Sequence, residues 1–308
     1  KTTVLQLLAL GLTQSEQPPF YLSEWTSVMR NNNEPSGFDI VLRVAGKKVT
    51  LNFDIKNDKV SLKSAKKHAK LLGNLFFVSY GMGRNTEPDN NLLARLPQNM
   101  PFRNVATLFG INNLVLQNGA LKDFMKEGNA FAQIKSIITK IFNKAEDIAH
   151  RVELLRYDTE KATFYFNTPT NNIDNEVPLA AMSSGFRTSF QWIIDLVIRA
   201  WQTGFDLSKP ETIVGIVLID EIDIHLHIKW QRTILTTLQN IFTNIQFIVT
   251  THSPFVAQSM SNKNLVELYL DAPNNKVDAR QISIEEGSSY EVVINRLFGE
   301  DGIFNAAI

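Results

Sequence analysis

Asp220 and Glu221 end the run Ile213–Asp223 (IVGIVLIDEID), where a continuous apolar, β-branched stretch meets two adjacent carboxylates. Such a run predicts a strand covered on both faces, and the carboxyl edge of an α/β sheet is where ligands bind. There Asp220 would hold Mg²⁺ through water, and Glu221 would orient or deprotonate an attacking water. Two acids that simply terminate a strand would read the same way. His252 stands beyond a second short apolar run, in Thr250-Thr251-His252-Ser253-Pro254. An imidazole at the end of a neighbouring strand can hydrogen-bond a γ-phosphate and report its presence. Met182-Ser183-Ser184-Gly185 precedes a long helical stretch. A small hydroxyl and a glycine at a helix N-terminus make an anion seat, and they serve equally as an ordinary N-cap.

The chain opens on Lys1-Thr2-Thr3 before an apolar helix. This matches the tail of G-x-x-x-x-G-K-[ST], whose lysine reaches the β/γ-phosphates and whose threonine hydroxyl binds Mg²⁺. The glycines and the strand that carry such a loop are therefore expected upstream of Lys1.

The elements that must position these residues follow from periodicity. Thr2–Leu12 is apolar on nearly every face, a helix buried inside a domain. Phe38–Ile55 alternates around Gly46-Lys47-Lys48, a hairpin, and Ser61–Leu72 reads as helix. Asn74–Ser79 is a short buried strand running into Tyr80-Gly81-Met82-Gly83-Arg84, and Thr86–Pro101 has loop composition. Gly119–His150 is helical, Val152–Asn167 returns to strands, and Thr168–Glu176 is a polar turn region. A helix runs from Ser184 to Thr203 and stops at Gly204 in the C′ position. Ile228–Phe242 is helical and Gln246–Thr250 a second buried strand. Buried strands separated by helices give an α/β sheet with antiparallel and helical insertions.

Bulk properties narrow the function classes. Lys+Arg and Asp+Glu each number 31, so there is no net charge to suggest a dedicated polyanion binder. There is no cysteine among the 308 residues, which removes disulfide frameworks, thiolate metal sites and cysteine catalysis. A reducing cytoplasm fits best, and no apolar run approaches the ~20 residues of a membrane span. His225 and His227 form H-x-H, but zinc sites need three or four ligands, so packing is the better reading. Lys63, Lys66, Lys67 and Lys70 make one helical stripe that could track DNA or RNA phosphate; a solvated lysine face is commoner.

In the order lysine, serine-glycine, acid pair, histidine, the chain resembles an ABC-type ATPase of the branch containing the SMC, Rad50 and RecF heads and OLD-like ATPases. That resemblance implies a P-loop NTPase of ABC-head type, with an antiparallel β subdomain and a helical insertion, binding ATP and Mg²⁺. Lys1 and Thr2, with Thr3, would close the Walker A loop. Met182–Phe186 would stand in for LSGGQ, with Ser183, Ser184 and Gly185 contacting ATP held by a sister subunit. Asp220 and Glu221 would be Walker B, Thr2 and Asp220 the metal ligands, Asp223 the start of the D-loop, and His252 the switch histidine. Arg84, at the strand end where a Q-loop belongs, would be a phosphate or interface contact.

VLIDEIDIHLHIKWQ…NIQFIVTTHSP is more similar still to stand-alone anti-phage ATPases of the Septu type, which also accompany retrons; YGMGR and RNVATLFG fit that branch. The chain departs from the family pattern at Ser184, at Phe186, and at Ile228, where proline is usual after HLH. The expected organisation is a single domain over 1–308, with a helical insertion at 110–150 and the signature, Walker B and switch lobe at 151–308. The resemblance implies a homodimer, a separate effector such as an HNH nuclease, and no membrane. Four other readings weigh less. An OLD-type nuclease needs a Toprim domain, and Glu267 and Asp271 are too sparse to supply it. A head acting directly on DNA in repair or cleavage is the alternative, but its Rad50 and SMC forms need long heptad arms, for which Gly119–His150 is far too short. A transporter motor has a shorter signature-to-Walker-B spacing. A non-enzymatic module would not keep Glu221.

Overall fold

The computed structural model describes residues 2–13, 36–44, 46–56, 59–62, 75–85, 89–96, 103–117, 120–125, 128–142, 152–167, 176–260, 264–271, 276–284, 288 and 290–298. Helix α1 (Thr2–Thr13) opens the chain. Strands β1 (Ser36–Val44), β2 (Lys47–Lys56) and β3 (Lys59–Leu62) form an antiparallel sheet. Its first turn contains Gly46 at φ 77°, a left-handed conformation that suits glycine. Strand β4 (Phe76–Tyr80) leads through a 3₁₀ turn, Met82–Asn85, to α2 (Asn90–Arg95). Helices α3 (Ala120–Phe124) and α4 (Ala130–Phe142) precede the antiparallel strands β5 (Glu153–Asp158), β6 (Thr163–Asn167) and β7 (Glu176–Pro178). Next come α5 (Ser184–Gln202), β8 (Gly215–Ile219), α6 (Ile228–Gln231), α7 (Ile234–Ile241) and β9 (Ile245–Val249). The chain continues through α8 (Pro254–Gln258), the β10 (Val266–Asp271)–β11 (Lys276–Gln281) hairpin and α9 (Tyr290–Phe298).

The site is organised by a parallel sheet in the order β4-β8-β9. Every residue of β8 is buried, as expected of a central strand covered on both faces. Alternation divides its side chains between two layers. Ile216 and Leu218 pack with Leu5 and Ala9 of α1, while Val217 and Ile219 pack with Ile193, Leu196 and Val197 of α5. The result is helix, sheet, helix, with all three strand ends at one edge. The apolar face of α4, through Ile134, Ile137, Ile138 and Ile141, joins the same core as α5 and β8.

A buried ionic network locks β4 to α5. The Asp195 carboxylate accepts from Tyr80 Oη at 2.7 Å, from the Val115 backbone N–H at 2.7 Å and from Arg199 Nε at 2.6 Å. Arg199 also donates to Asn104 Oδ1 at 2.6 Å and to the Asn113 carbonyl. Burial, then the Asp195 charge, pushes the Tyr80 hydroxyl well above its ordinary range, so it remains a donor.

Three elements differ from the sequence expectation. Ser61 and Leu62 close strand β3, paired with Asp54 and Phe53, rather than opening a helix; the remainder of that predicted helix, with the four lysines of its stripe, lies outside the described residues. The segment 86–101 contains helix α2 instead of being loop throughout. The helix expected over Ile228–Phe242 is two, broken at Arg232-Thr233. Gln231 ties the first to the turn after β8 by donating to the Leu226 carbonyl at 2.9 Å. The second packs against α4 and β9.

Candidate functional site

The predicted acid pair sits at the carboxyl edge of the central strand. Asp220 immediately follows β8 and is 1% exposed. Both of its carboxylate oxygens are engaged by hydroxyls: Thr2 Oγ1 donates to Oδ2 at 2.7 Å and Thr250 Oγ1 to Oδ1 at 2.6 Å. Thr2 is the first residue of α1, and Thr250 directly follows β9. Residues 218 and 30 positions away thus meet on one carboxylate.

Glu221 adopts φ 48°, a left-handed conformation uncommon for a side chain of this kind. Its N–H donates to Thr250 Oγ1 at 2.8 Å, and the next residue, Ile222, donates to the Thr250 carbonyl at 3.1 Å. Asp223 turns toward the loop after β9. Its Oδ1 accepts from the Thr251 hydroxyl and from the His252 backbone N–H at 3.3 Å. His252 itself is exposed beside this turn. Ser253 caps α8 and donates to Gln231 Oε1 at 2.6 Å.

The serine-glycine segment starts α5. Ser183 is the N-cap, its Oγ accepting from Phe186 N at 3.3 Å, and both Ser183 and Ser184 face solvent. Gly185 is pressed against the turn after the acid pair: a Cβ there would lie 2.2 Å from the His225 carbonyl oxygen. Phe186 points the other way, into an aromatic cluster with Phe142 (4.9 Å), Phe166 (5.2 Å) and Phe190 (6.0 Å). The departure at this position is thus a core residue. Ile228 is exposed at the start of α6, where His227 provides the N-cap, so that departure touches helix entry.

Of the sequence-predicted site residues, Thr2, Asp220, Glu221, Asp223 and His252 are drawn to one sheet edge. Ser183, Ser184 and Gly185 approach it only through the contact of Gly185 with His225. Thr3 is exposed in the first turn of α1. Lys1 lies outside the described residues. Among the described residues no three His, Asp or Glu side chains gather as a metal cluster, His225 and His227 included.

Arg84, expected from sequence as a phosphate or interface contact, is engaged here by the main chain of the acid pair. Its side chain is buried, the residue only 3% exposed, and it donates from Nη1 to the Asp220 carbonyl and from Nη2 to the Glu221 carbonyl, each at 2.8 Å. Burial pushes its pKa down to about 10 against the opposing pull of Asp220, Glu221 and Asp223, which leaves it charged at neutral pH. Arg84 is brought there by interlocked loops. Cβ atoms at Gly81 and Gly83 would meet Leu108 Cα at 2.5 Å and Thr107 O at 2.6 Å, so YGMGR and RNVATLFG touch through their backbones. Thr250 and Gln231 were missed; the one available signal was the hydroxyl directly after an apolar strand.

Together, the acid-tipped central strand, the hydroxyl at the start of α1 and the histidine beyond β9 are the architecture of a P-loop ATPase head. A structure titled as the SmcHead bound to the C-winged helix domain of ScpA aligns with TM-score 0.52 and 12% identity, over 92% of this chain and 87% of that one, which supports the fold. The chain belongs to the AAA-domain family described as "AAA domain, putative AbiEii toxin, Type IV TA system", whose model matches residues 1–257.

Among curated proteins, "Retron Vc95 probable ATPase" of Vibrio cholerae serotype O1 biovar El Tor is 42% identical over 91 residues, 30% of this chain and 18% of that protein. "Retron Ec83 probable ATPase" of Escherichia coli is 32% identical over 146 residues, 44% and 27% respectively. "Septu protein PtuA" of Bacillus thuringiensis is 32% identical over 121 residues, 38% and 30%. The matched segments therefore span less than a third of these relatives' own lengths. No described helix is long and apolar enough to cross a membrane.

Proposed function

We propose that this chain is an ATP-hydrolysing switch that closes as a homodimer around ATP and controls a separate effector, a nuclease, in bacterial anti-phage defence. The observation that carries the reading is the convergence of the Thr2 hydroxyl and the Asp220 carboxylate, 2.7 Å apart, directly beside Glu221. These are hard oxygen donors of the kind Mg²⁺ takes when it also binds phosphate, and it commonly needs only one or two carboxylates. Thr2 and Asp220 would hold the ion, which when bound would neutralise charge on the terminal phosphates. The half-buried Glu221 carboxylate orients a water and accepts its proton. The exposed His252 offers an imidazole N–H to a phosphoryl oxygen, and Lys1, outside the described residues, is assigned to the same phosphates from its place in the Lys1-Thr2-Thr3 motif alone. Ser183, Ser184 and Gly185 of a sister chain, at the solvent-facing start of α5, close the far side with backbone N–H groups.

The names of the retron and Septu relatives support the defence setting. The test is phosphate release by wild type and Glu221→Gln at saturating ATP. Loss of a general base predicts a fall of about 10²- to 10⁴-fold in kcat with nucleotide affinity retained. Equal rates would remove Glu221 as the base.

A further inference from the structure

We propose that Arg84 is a positioning residue for Glu221, holding the backbone of the acid pair in the strained conformation that aims the carboxylate. The inference rests on the hydrolytic role given to Glu221 above. A non-glycine residue held at positive φ is strained and persists only where its surroundings over-determine it. At Glu221 the surroundings include two side chains, beside the Ile224 N–H that donates to the Glu221 carbonyl at 3.2 Å. Thr250 takes the Glu221 N–H at 2.8 Å, and Arg84 takes the carbonyls on either side of the Glu221 φ bond, those of Asp220 and Glu221, at 2.8 Å each.

The guanidinium is costly where it stands. It is buried, and among the described residues its Nε has no hydrogen-bond partner, although burying such a donor carries a desolvation penalty. A residue needed only for packing would not require a charge here. A forked donor that grips two successive carbonyls is something arginine supplies and lysine does not. Its position is also fixed from behind. Arg84 N donates to the Gly81 carbonyl at 3.0 Å, and Gly81 and Gly83 let this turn sit directly on Thr107 and Leu108. The guanidinium is thereby held over the end of β8 from the neighbouring strand β4. Its two forked donors both go to main-chain carbonyls of the acid pair, so its effect is expected on the chemical step.

The experiment compares wild type, Arg84→Met, Arg84→Lys and Glu221→Gln for three quantities: ATP affinity with Mg²⁺, single-turnover hydrolysis and thermal midpoint. Displacement of a reacting group by about 1 Å costs on the order of 100-fold. Arg84→Met is expected to lose about 100-fold in the hydrolysis rate with ATP affinity within about 2-fold of wild type. Arg84→Lys, which keeps one donor, is expected to recover about 10-fold of that loss. Wild-type hydrolysis in either folded variant overturns the proposal. So does parallel loss of affinity and rate, or failure of both variants to fold, because each would make Arg84 merely structural. If Glu221→Gln itself hydrolyses at the wild-type rate, the base assignment has failed instead, and the two failures are distinguishable.

Discussion

Gly185→Ala tests whether the serine-glycine segment and the turn after the acid pair form one unit. Its Cβ would sit 2.2 Å from the His225 carbonyl oxygen, whereas real Cβ contacts essentially never fall below 3.0 Å, so the two backbones must part by about 0.8 Å. Neither side yields readily. Gly185 is in the first turn of the 19-residue α5, and His225 is held at φ 64°. Overpacking of this kind costs about 1–3 kcal/mol. Alanine regains up to about 1 kcal/mol of helix propensity, and less in a first turn. The net loss is about 1–2 kcal/mol, a fall in thermal midpoint of roughly 2–8 °C at about 2–4 °C per kcal/mol. Because Asp223 in the same turn holds Thr251 and the His252 N–H, hydrolysis should fall along with stability. Differential scanning calorimetry beside a phosphate-release assay measures both. An unchanged or higher midpoint would mean that helix propensity outweighs the clash, and the coupling between α5 and this turn would be refuted.

Asp195→Asn should destabilise the fold by about 3–5 kcal/mol, measured by urea unfolding, because it strands the buried Arg199 guanidinium without its counter-ion. Tyr80, facing Asp195 and Arg199, has its pKa raised in the folded state. Its contribution is therefore fully present below pH ~10 and lost as pH rises through the folded value, at up to about 1.4 kcal/mol per pH unit. Tyr80→Phe should remove that one-proton slope from unfolding curves measured above pH 10; identical slopes in the two proteins would contradict the assignment.

The central strand was legible because burial on both faces demands an unbroken apolar run; β9, expected to be buried as well, is buried only at Ile245, and its apolar run still marked it as a strand. The acids at 220 and 221 and the histidine at 252 could then be placed at one edge by strand ends alone. The hairpin at Gly46 and the end of the long helix before Gly204, at φ 88°, followed from local backbone chemistry. What was not legible depends on contacts between distant segments. Arg84 meets residues 136 and 137 positions away, so no local pattern separates a guanidinium that binds phosphate from one that clamps backbone carbonyls. Thr250 reads as the polar end of a strand until β8 and β9 are aligned. Phe186 looked like a departure at a polar signature position, and the aromatic cluster it enters draws on α4, β6 and α6 as well as α5. The break at Arg232-Thr233 is likewise hidden, since the two short helices are anchored to different partners and the apolar period runs through both.

The claim on which the rest depends is that one Mg·ATP is gripped by Thr2, Asp220 and Glu221 and sealed by a second copy of the chain. Sedimentation velocity of Glu221→Gln with Mg²⁺ and increasing ATP, against the same titration with ADP, measures it most directly. The account predicts a dimer that appears with ATP, is absent with ADP, and is lost when Asp220→Asn is added. A protein of unchanged mass at every ATP concentration, or one that dimerises equally with either nucleotide, would contradict it.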